Sequence, residues 1–341
     1  MGSALADISK AGVAVWLDDL SRERLQSGSL EKLIETDYVV GVTTNPSIFA
    51  AAIGKSDLYQ ADILKNAQLT TEEIITLLTT DDVRNACDLF AGVYESTLHQ
   101  DGRVSIEVDP RFARDTKATI EQGLALWEII DRPNLLIKVP ATIEGLPAIT
   151  ELISRGISVN VTLIFSVHRY RQVLEAYAAG LKRRIDSQES ISEIYSVASF
   201  FISRIDSAVD ALLPTDSNMR GQTAIANAVM AYESFLNFSA TPSWKELANK
   251  GANLQRPLWA STGVKDPSFD PNLYVLHLAA SNTVNTMPEA TLNSVKNTGT
   301  FNHELVPTKL AISKNILAKI ALAGIDLEKI TDEDLNKNWI V

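Results

Sequence analysis

Lys138 stands in the run Leu135-Leu136-Ile137-Lys138-Val139-Pro140-Ala141-Thr142, where every neighbour but the last is apolar. A run that apolar reads as a strand buried on both faces. Burying an ammonium there costs several kcal/mol unless it is paired or loses its proton, and desolvation pulls a lysine toward the range where the free amine is a nucleophile. A lysine so placed is a candidate for Schiff-base chemistry. The same residue fits a structural role, snorkelling from a strand end or paired with a buried carboxylate, and the octapeptide alone leaves both readings open.

Two further segments carry polar groups at a spacing that matters. In Val104-Ser105-Ile106-Glu107-Val108-Asp109 and Val159-Asn160-Val161-Thr162-Leu163 polar and apolar residues alternate with period two, so each strand has one polar and one apolar face. The elements that would position them follow from the patterning. Strand-like runs occur at Val13-Asp18, Val39-Asn45, Val104-Asp109, Leu135-Ala141, Val159-Phe165, Ile194-Phe200, Pro257-Ser261 and Thr283-Met287, with mostly helical periods between them. Eight such repeats predict an α/β fold, a closed (β/α)8 TIM barrel. In a barrel ringed by helices the apolar set packs outward and the polar set points into the lumen. Thr43 with Asn45, Ser105 with Glu107, Asn160 with Thr162, and Asp18 at the end of the first strand are then expected to form a convergent polar network near the C-terminal mouth.

The helices read as cleanly in places. In His168-Ile185, Tyr170, Val173, Leu174, Tyr177, Ala178, Leu181 and Ile185 recur at three and four, while the basic residues fall mostly off that stripe. This predicts an outer helix. Tyr274-Ala280 competes with Thr283-Met287 for the last strand, and the preferred reading is helix for the former. The chain exceeds the roughly 250 residues of a plain barrel, so the surplus is expected in helical insertions near 47–102 and 205–255 and in a C-terminal helical segment, 306–341. With no internal repeat, low-complexity tract or linker, one domain over 1–341 is the simplest count.

Composition narrows the partners. Of 341 residues 45% are hydrophobic and 21% charged, as in an ordinary soluble enzyme. No run approaches the roughly 20 apolar residues of a spanning helix and the start lacks a signal peptide, so membrane association is not expected and the cytoplasm is. Cys87 is the single cysteine, which leaves no intrachain disulfide and no cysteine-based metal cluster. The net charge of −11 and the lack of a basic patch argue against nucleic acid, while a small anionic substrate in a local cationic pocket stays possible. Nothing here decides between monomer and homodimer.

Gly41-Val42-Thr43-Thr44-Asn45-Pro46-Ser47-Ile48-Phe49 resembles the second-strand hallmark of the transaldolases, and Leu135 to Gly145 resembles their second hallmark, around the Schiff-base lysine. Similarity continues through Trp16-Leu17-Asp18, Ser105-Ile106-Glu107, Asn160-Val161-Thr162 and Ser199-Phe200-Phe201-Ile202-Ser203-Arg204, and the size fits the longer bacterial subgroup. One departure stands out. The subgroup best known for its mechanism has an arginine soon after the seventh strand as a second phosphate ligand, whereas this chain reads Ala260-Ser261-Thr262-Gly263-Val264-Lys265. Lys265 or Ser261 is the replacement on offer.

The resemblance implies transfer of a dihydroxyacetone unit between sugar phosphates, without metal or organic cofactor, in the non-oxidative pentose phosphate pathway. Sedoheptulose 7-phosphate or fructose 6-phosphate would donate, glyceraldehyde 3-phosphate or erythrose 4-phosphate accept. Lys138 would form the Schiff base, Asp18 take the C4 hydroxyl proton, and Glu107 move protons through a water oriented by Thr162. Asn45, Asn160 and Ser199 would hold hydroxyls, with Thr43 and Phe201 beside them and Arg204 offering a planar fork for the phosphate. Taken alone, Arg204 also reads as a surface arginine opening a helix.

Alternatives fare worse. A zinc aldolase needs clustered ligands, yet His99, His168, His277 and His303 are scattered. No Gly-rich dinucleotide or P-loop fingerprint occurs. Fructose-6-phosphate aldolases are similar but much shorter, with glutamine where Glu107 stands and tyrosine where Phe201 stands. A silent sugar-phosphate-binding barrel would have lost Lys138, Glu107 or Asp18, and all three are present.

Overall fold

The computed structural model describes residues 3–301 and 306–338. Its strands β1 (Val13–Leu17), β2 (Val39–Val42), β3 (Arg103–Glu107), β4 (Leu135–Pro140), β5 (Val159–Ile164), β6 (Ser196–Phe201), β7 (Gln255–Ala260) and β8 (Thr283–Met287) pair in parallel and in chain order, and β1 closes on β8. The chain is the expected (β/α)8 barrel.

Alternation along the strands decides which residues face the helices. Val104, Ile106, Ile137, Val139, Val159 and Val161 join the continuous core under the helices, each fully or almost fully buried. Each such side chain contributes about 1.5–3 kcal/mol by leaving water. The other parity faces the lumen, where Trp16, Leu136, Val197, Leu258 and Val284 form a separate apolar cluster. The lumen is therefore layered: an apolar layer in the middle, and the polar groups of the candidate site towards the C-terminal mouth. Leu136 and Lys138 share one strand face in successive layers, which explains why β4 reads as apolar on both sides. Gly41 belongs to the same packing, because a Cβ there would sit 2.5 Å from the Trp16 indole.

Most strands end sooner than the patterning suggests. Asp18, Thr43, Asn45, Asp109 and Ala141 lie just past the ladders, in the exits that face the mouth. At Asn45 the reason is a competing partner: its side chain caps the helix Pro46–Lys55 by accepting from the Ile48 amide at 3.0 Å, with Pro46 in the first turn. β6 begins at Ser196 and β7 at Gln255, each displaced by two residues from the sequence reading.

Helices fill the long intervals: Pro46–Lys55, Gln60–Lys65, Thr71–Leu89 and Ala91–Ser96 before β3, then Ser203–Asp210, Thr223–Ser239 and Pro242–Asn249 before β7. The outer helix spans Val167–Asp186, opened by a Ser166 cap on the Arg169 amide, and buries Tyr170, Val173, Leu174, Tyr177 and Leu181 as its stripe requires. Residues Leu273–His277 are helical, leaving β8 to Thr283–Met287. The C-terminal part holds Leu310–Leu322 and Leu327–Asn338, the latter packed near β5 and Ser203–Asp210, while residues 339–341 of the expected segment lie outside the described residues. No helix among the described residues is long and apolar enough to cross a membrane.

Candidate active site

The barrel register sets the centre. Glu107 lies opposite Lys138 between β3 and β4, and Lys138 lies opposite Asn160 between β4 and β5. The Lys138 Nζ donates to Glu107 Oε2 at 2.9 Å and to the Thr44 carbonyl at 2.9 Å, with the two side chains only 8% and 11% exposed. A buried ammonium is thus matched by one carboxylate and one carbonyl, the condition that makes its burial tolerable. The Thr44 hydroxyl in turn donates to the Ser105 carbonyl at 2.7 Å, tying the β2 exit to β3.

Asp18 is held from the other side. Its carboxylate accepts from the Thr43 hydroxyl at 2.7 Å, and Thr43 meets the Thr286 hydroxyl at 2.6 Å. Burial pushes the Asp18 carboxyl above its ordinary range, opposed by the Lys138 charge and the Thr43 hydrogen bond. A carboxylate so placed is a better proton acceptor than one in water.

Below the lysine, Asn160 is fully buried, donating to Ser105 Oγ at 3.0 Å and accepting from Ser199 Oγ at 2.7 Å. Thr162 shares this wall, and its hydroxyl is buried without a protein partner. The strand is irregular there: β5 shifts register on β6 between Val161 and Ile164, and Leu163 takes a φ of 59°, a strained conformation for a bulky residue. Such a bulge re-aims side chains beside a site. Ser261 at the β7 exit is also left-handed, at φ 56°, and its hydroxyl meets that of Ser203 at 2.9 Å.

These residues enclose a cavity of about 210 Å³ lined by Asp18, Thr43, Asn45, Lys138, Thr162, Ser199, Phe201, Arg204, Ser261 and Lys265, with Thr286 and Pro288. Of the residues singled out from sequence, Ser105, Glu107 and Asn160 stand behind that lining, Glu107 and Asn160 each bonded to a residue that belongs to it and Ser105 to Asn160. The Arg204 guanidinium lies 5.6 Å from the Phe201 ring, which is packed 5.1 Å from Phe165. Lys265 is exposed at the rim, past the strand end. Thr43 lines the cavity and also holds Asp18 through its hydroxyl.

Sequence reasoning missed Thr44 and Thr286. Thr44 acts through its backbone, which side-chain parity does not report. On β8, Thr283, Asn285 and Thr286 put polar groups on both faces, so alternation could not choose; Asn285 turns outward to the Thr262 hydroxyl and Thr286 inward to Thr43.

The family described as Transaldolase/Fructose-6-phosphate aldolase matches residues 15–339. The chain belongs to this family. It is similar to the transaldolase of Mycolicibacterium smegmatis, 51% identical over 333 residues that cover 96% of this chain and 90% of the relative. The transaldolase of Frankia alni is 48% identical over 97% of this chain and 91% of its own length. Transaldolase 1 of Streptomyces coelicolor is 50% identical over 97% and 88%.

Proposed function

We propose that the enzyme carries out its transaldolase reaction through Lys138, and that Lys138 lining one cavity with Asp18 while bonded to Glu107 behind it supports this most directly. The Lys138 amine, having passed a proton to Glu107, attacks the C2 ketone of fructose 6-phosphate or sedoheptulose 7-phosphate. Glu107 then returns protons through a water held at the Thr162 hydroxyl, and the carbinolamine loses water to give an iminium. Asp18 takes the C4 hydroxyl proton; the C3–C4 bond breaks, its electron pair moves into the iminium, and the aldehyde phosphate leaves. The enamine that remains holds the dihydroxyacetone unit until glyceraldehyde 3-phosphate or erythrose 4-phosphate arrives, and the steps reverse. Ser199 and Asn45 hold hydroxyls of the bound unit, with Asn160 fixing Ser199. Every residue used comes from one barrel, so a single chain suffices, and the sugar phosphates place the reaction in the cytoplasm.

A coupled assay of fructose 6-phosphate with erythrose 4-phosphate tests this, with free dihydroxyacetone measured alongside. Wild type is expected to transfer and release little. Phe201→Tyr puts a hydroxyl beside the carbanion and should raise release relative to transfer; an unchanged ratio would count against the placement of Phe201 over the bound unit.

The phosphate falls to Arg204 and Lys265, which follow β6 and β7 and line the same cavity. Hydrogen bonds to charged groups contribute about 1.5–3 kcal/mol, so Arg204→Ala should raise KM for phosphorylated donors by roughly ten- to a hundredfold while sparing weak activity on unphosphorylated dihydroxyacetone donors. Lys265→Ala should show the same pattern more mildly, since an ammonium lacks the bidentate fork. If Lys265→Ala matches wild type, Ser261 becomes the better second ligand.

A further inference from the structure

The N-terminal end of the barrel strands, away from the Lys138 cavity, holds a second cavity of about 80 Å³. Arg103, the first residue of β3, and Arg256, near the start of β7, line it, and no aspartate or glutamate does. Both arginines are buried. Arg103 donates from Nε and Nη2 to the His99 carbonyl and from Nη1 to the Pro133 carbonyl at 3.1 Å, and lies between the rings of Tyr94 at 5.0 Å and Tyr195 at 4.2 Å. It makes no ion pair with any described residue. Arg256 pairs with Asp101 at 2.7 Å, and Asp101 also accepts from the Trp16 indole at 3.4 Å.

Charge around this cavity does not balance. Two guanidiniums face one carboxylate, which itself stands outside the lining, so a positive excess is left in a poorly solvated place within a chain of net charge −11. Burial draws Arg103 down to about 10, which leaves it a cation at neutral pH. A guanidinium has five N–H donors, and the carbonyl bonds of Arg103 leave some of them over. Gln100 and Asn282, both exposed amides on the same wall, add donors at the open side. On the measure by which a cavity needs about 10–15 Å³ to hold one water, this one admits a tetrahedral oxyanion.

We propose that this cavity binds a phosphate-class oxyanion, held between Arg103 and Arg256, at a site separate from the one where chemistry occurs. The site abuts the catalytic layer. Leu136, two residues before Lys138, lines the cavity, and Trp16, two residues before Asp18, contacts the carboxylate that holds Arg256. A bound anion therefore stabilises the floor on which both groups stand, and ligand that binds only the folded chain raises its melting temperature by mass action.

The test uses Arg204→Ala/Lys265→Ala protein, in which the two side chains proposed to hold the substrate phosphate are gone, so that its outcome does not depend on the phosphate reading above. Isothermal titration with inorganic phosphate, against chloride at equal ionic strength, should show one site, and melting temperature should rise with phosphate. Asn282→Asp adds a carboxylate to the wall without removing a buried group, at a φ of 56° that aspartate tolerates. In that background it should weaken phosphate binding at least tenfold; in otherwise wild-type protein it should leave turnover of fructose 6-phosphate unchanged. Arg103→Gln should abolish the site, its folding checked by its own melting curve, and Asn282→Asp tests the site without removing a buried group. Glycerol 3-phosphate in place of phosphate separates the sources: equal binding identifies a phosphomonoester end, weaker binding the free ion. Absence of phosphate binding in the double variant, or binding that Asn282→Asp leaves intact, overturns the proposal.

Discussion

Lys138→Ala protein treated with fructose 6-phosphate and borohydride is expected to gain no mass, whereas wild type gains about 74 Da, the reduced three-carbon unit on one amine. Only an iminium is reducible in this way; an ion pair to Glu107 is not. Turnover should fall towards the uncatalysed background, by roughly 10⁶-fold, the scale seen when a covalent nucleophile is removed. Folding should survive, because alanine removes the buried cation together with the cost of burying it. Intact-mass measurement decides the matter, and a trapped adduct on the alanine variant would show that another amine carries the chemistry.

Glu107→Gln is expected to lower kcat by roughly 10²–10⁴-fold, the usual worth of a positioned acid/base group. The amide preserves the shape of the side chain 2.9 Å from Lys138 but cannot shuttle its proton. The imine should still be trapped by borohydride, only more slowly, since the amine itself remains. Single-turnover kinetics separate the steps. A kcat within about threefold of wild type would reduce Glu107 to a counter-ion for Lys138. Breaking a buried pair costs about 3–5 kcal/mol when the remaining charge persists, so a melting curve beside the kinetics keeps stability and catalysis apart.

Much of this was legible along the chain because barrel strands repeat one rule. Period-two alternation in Val104 to Asp109 and Val159 to Leu163 placed Ser105, Glu107, Asn160 and Thr162 on one side, and the structure puts all four on the lumen side of the barrel wall. The outer helix was equally plain, since a 3.6-residue stripe has no other use on a barrel surface. Strand ends were less so. Whether Asn45 continues β2 or caps the next helix depends on the Ile48 amide, a partner that exists only once the helix has formed.

The sequence by itself determined the barrel, the buried position of Lys138 and the lumen-facing parity of Glu107, because burial and parity act on each strand independently of its neighbours. Tertiary structure alone decided the pairings. Lys138 meets Glu107 and the Thr44 carbonyl because register across three strands brings them within 2.9 Å. Thr286 reaches Thr43 because closure sets β8 against β1, 243 residues away in the chain from Thr43 to Thr286. The layering of the lumen, with Trp16 against Gly41 beneath the polar mouth and Arg103 with Arg256 below that, is likewise a property of eight strands tilted around one axis. Each strand encodes its own faces, and only the closed ring decides which side chains share a layer.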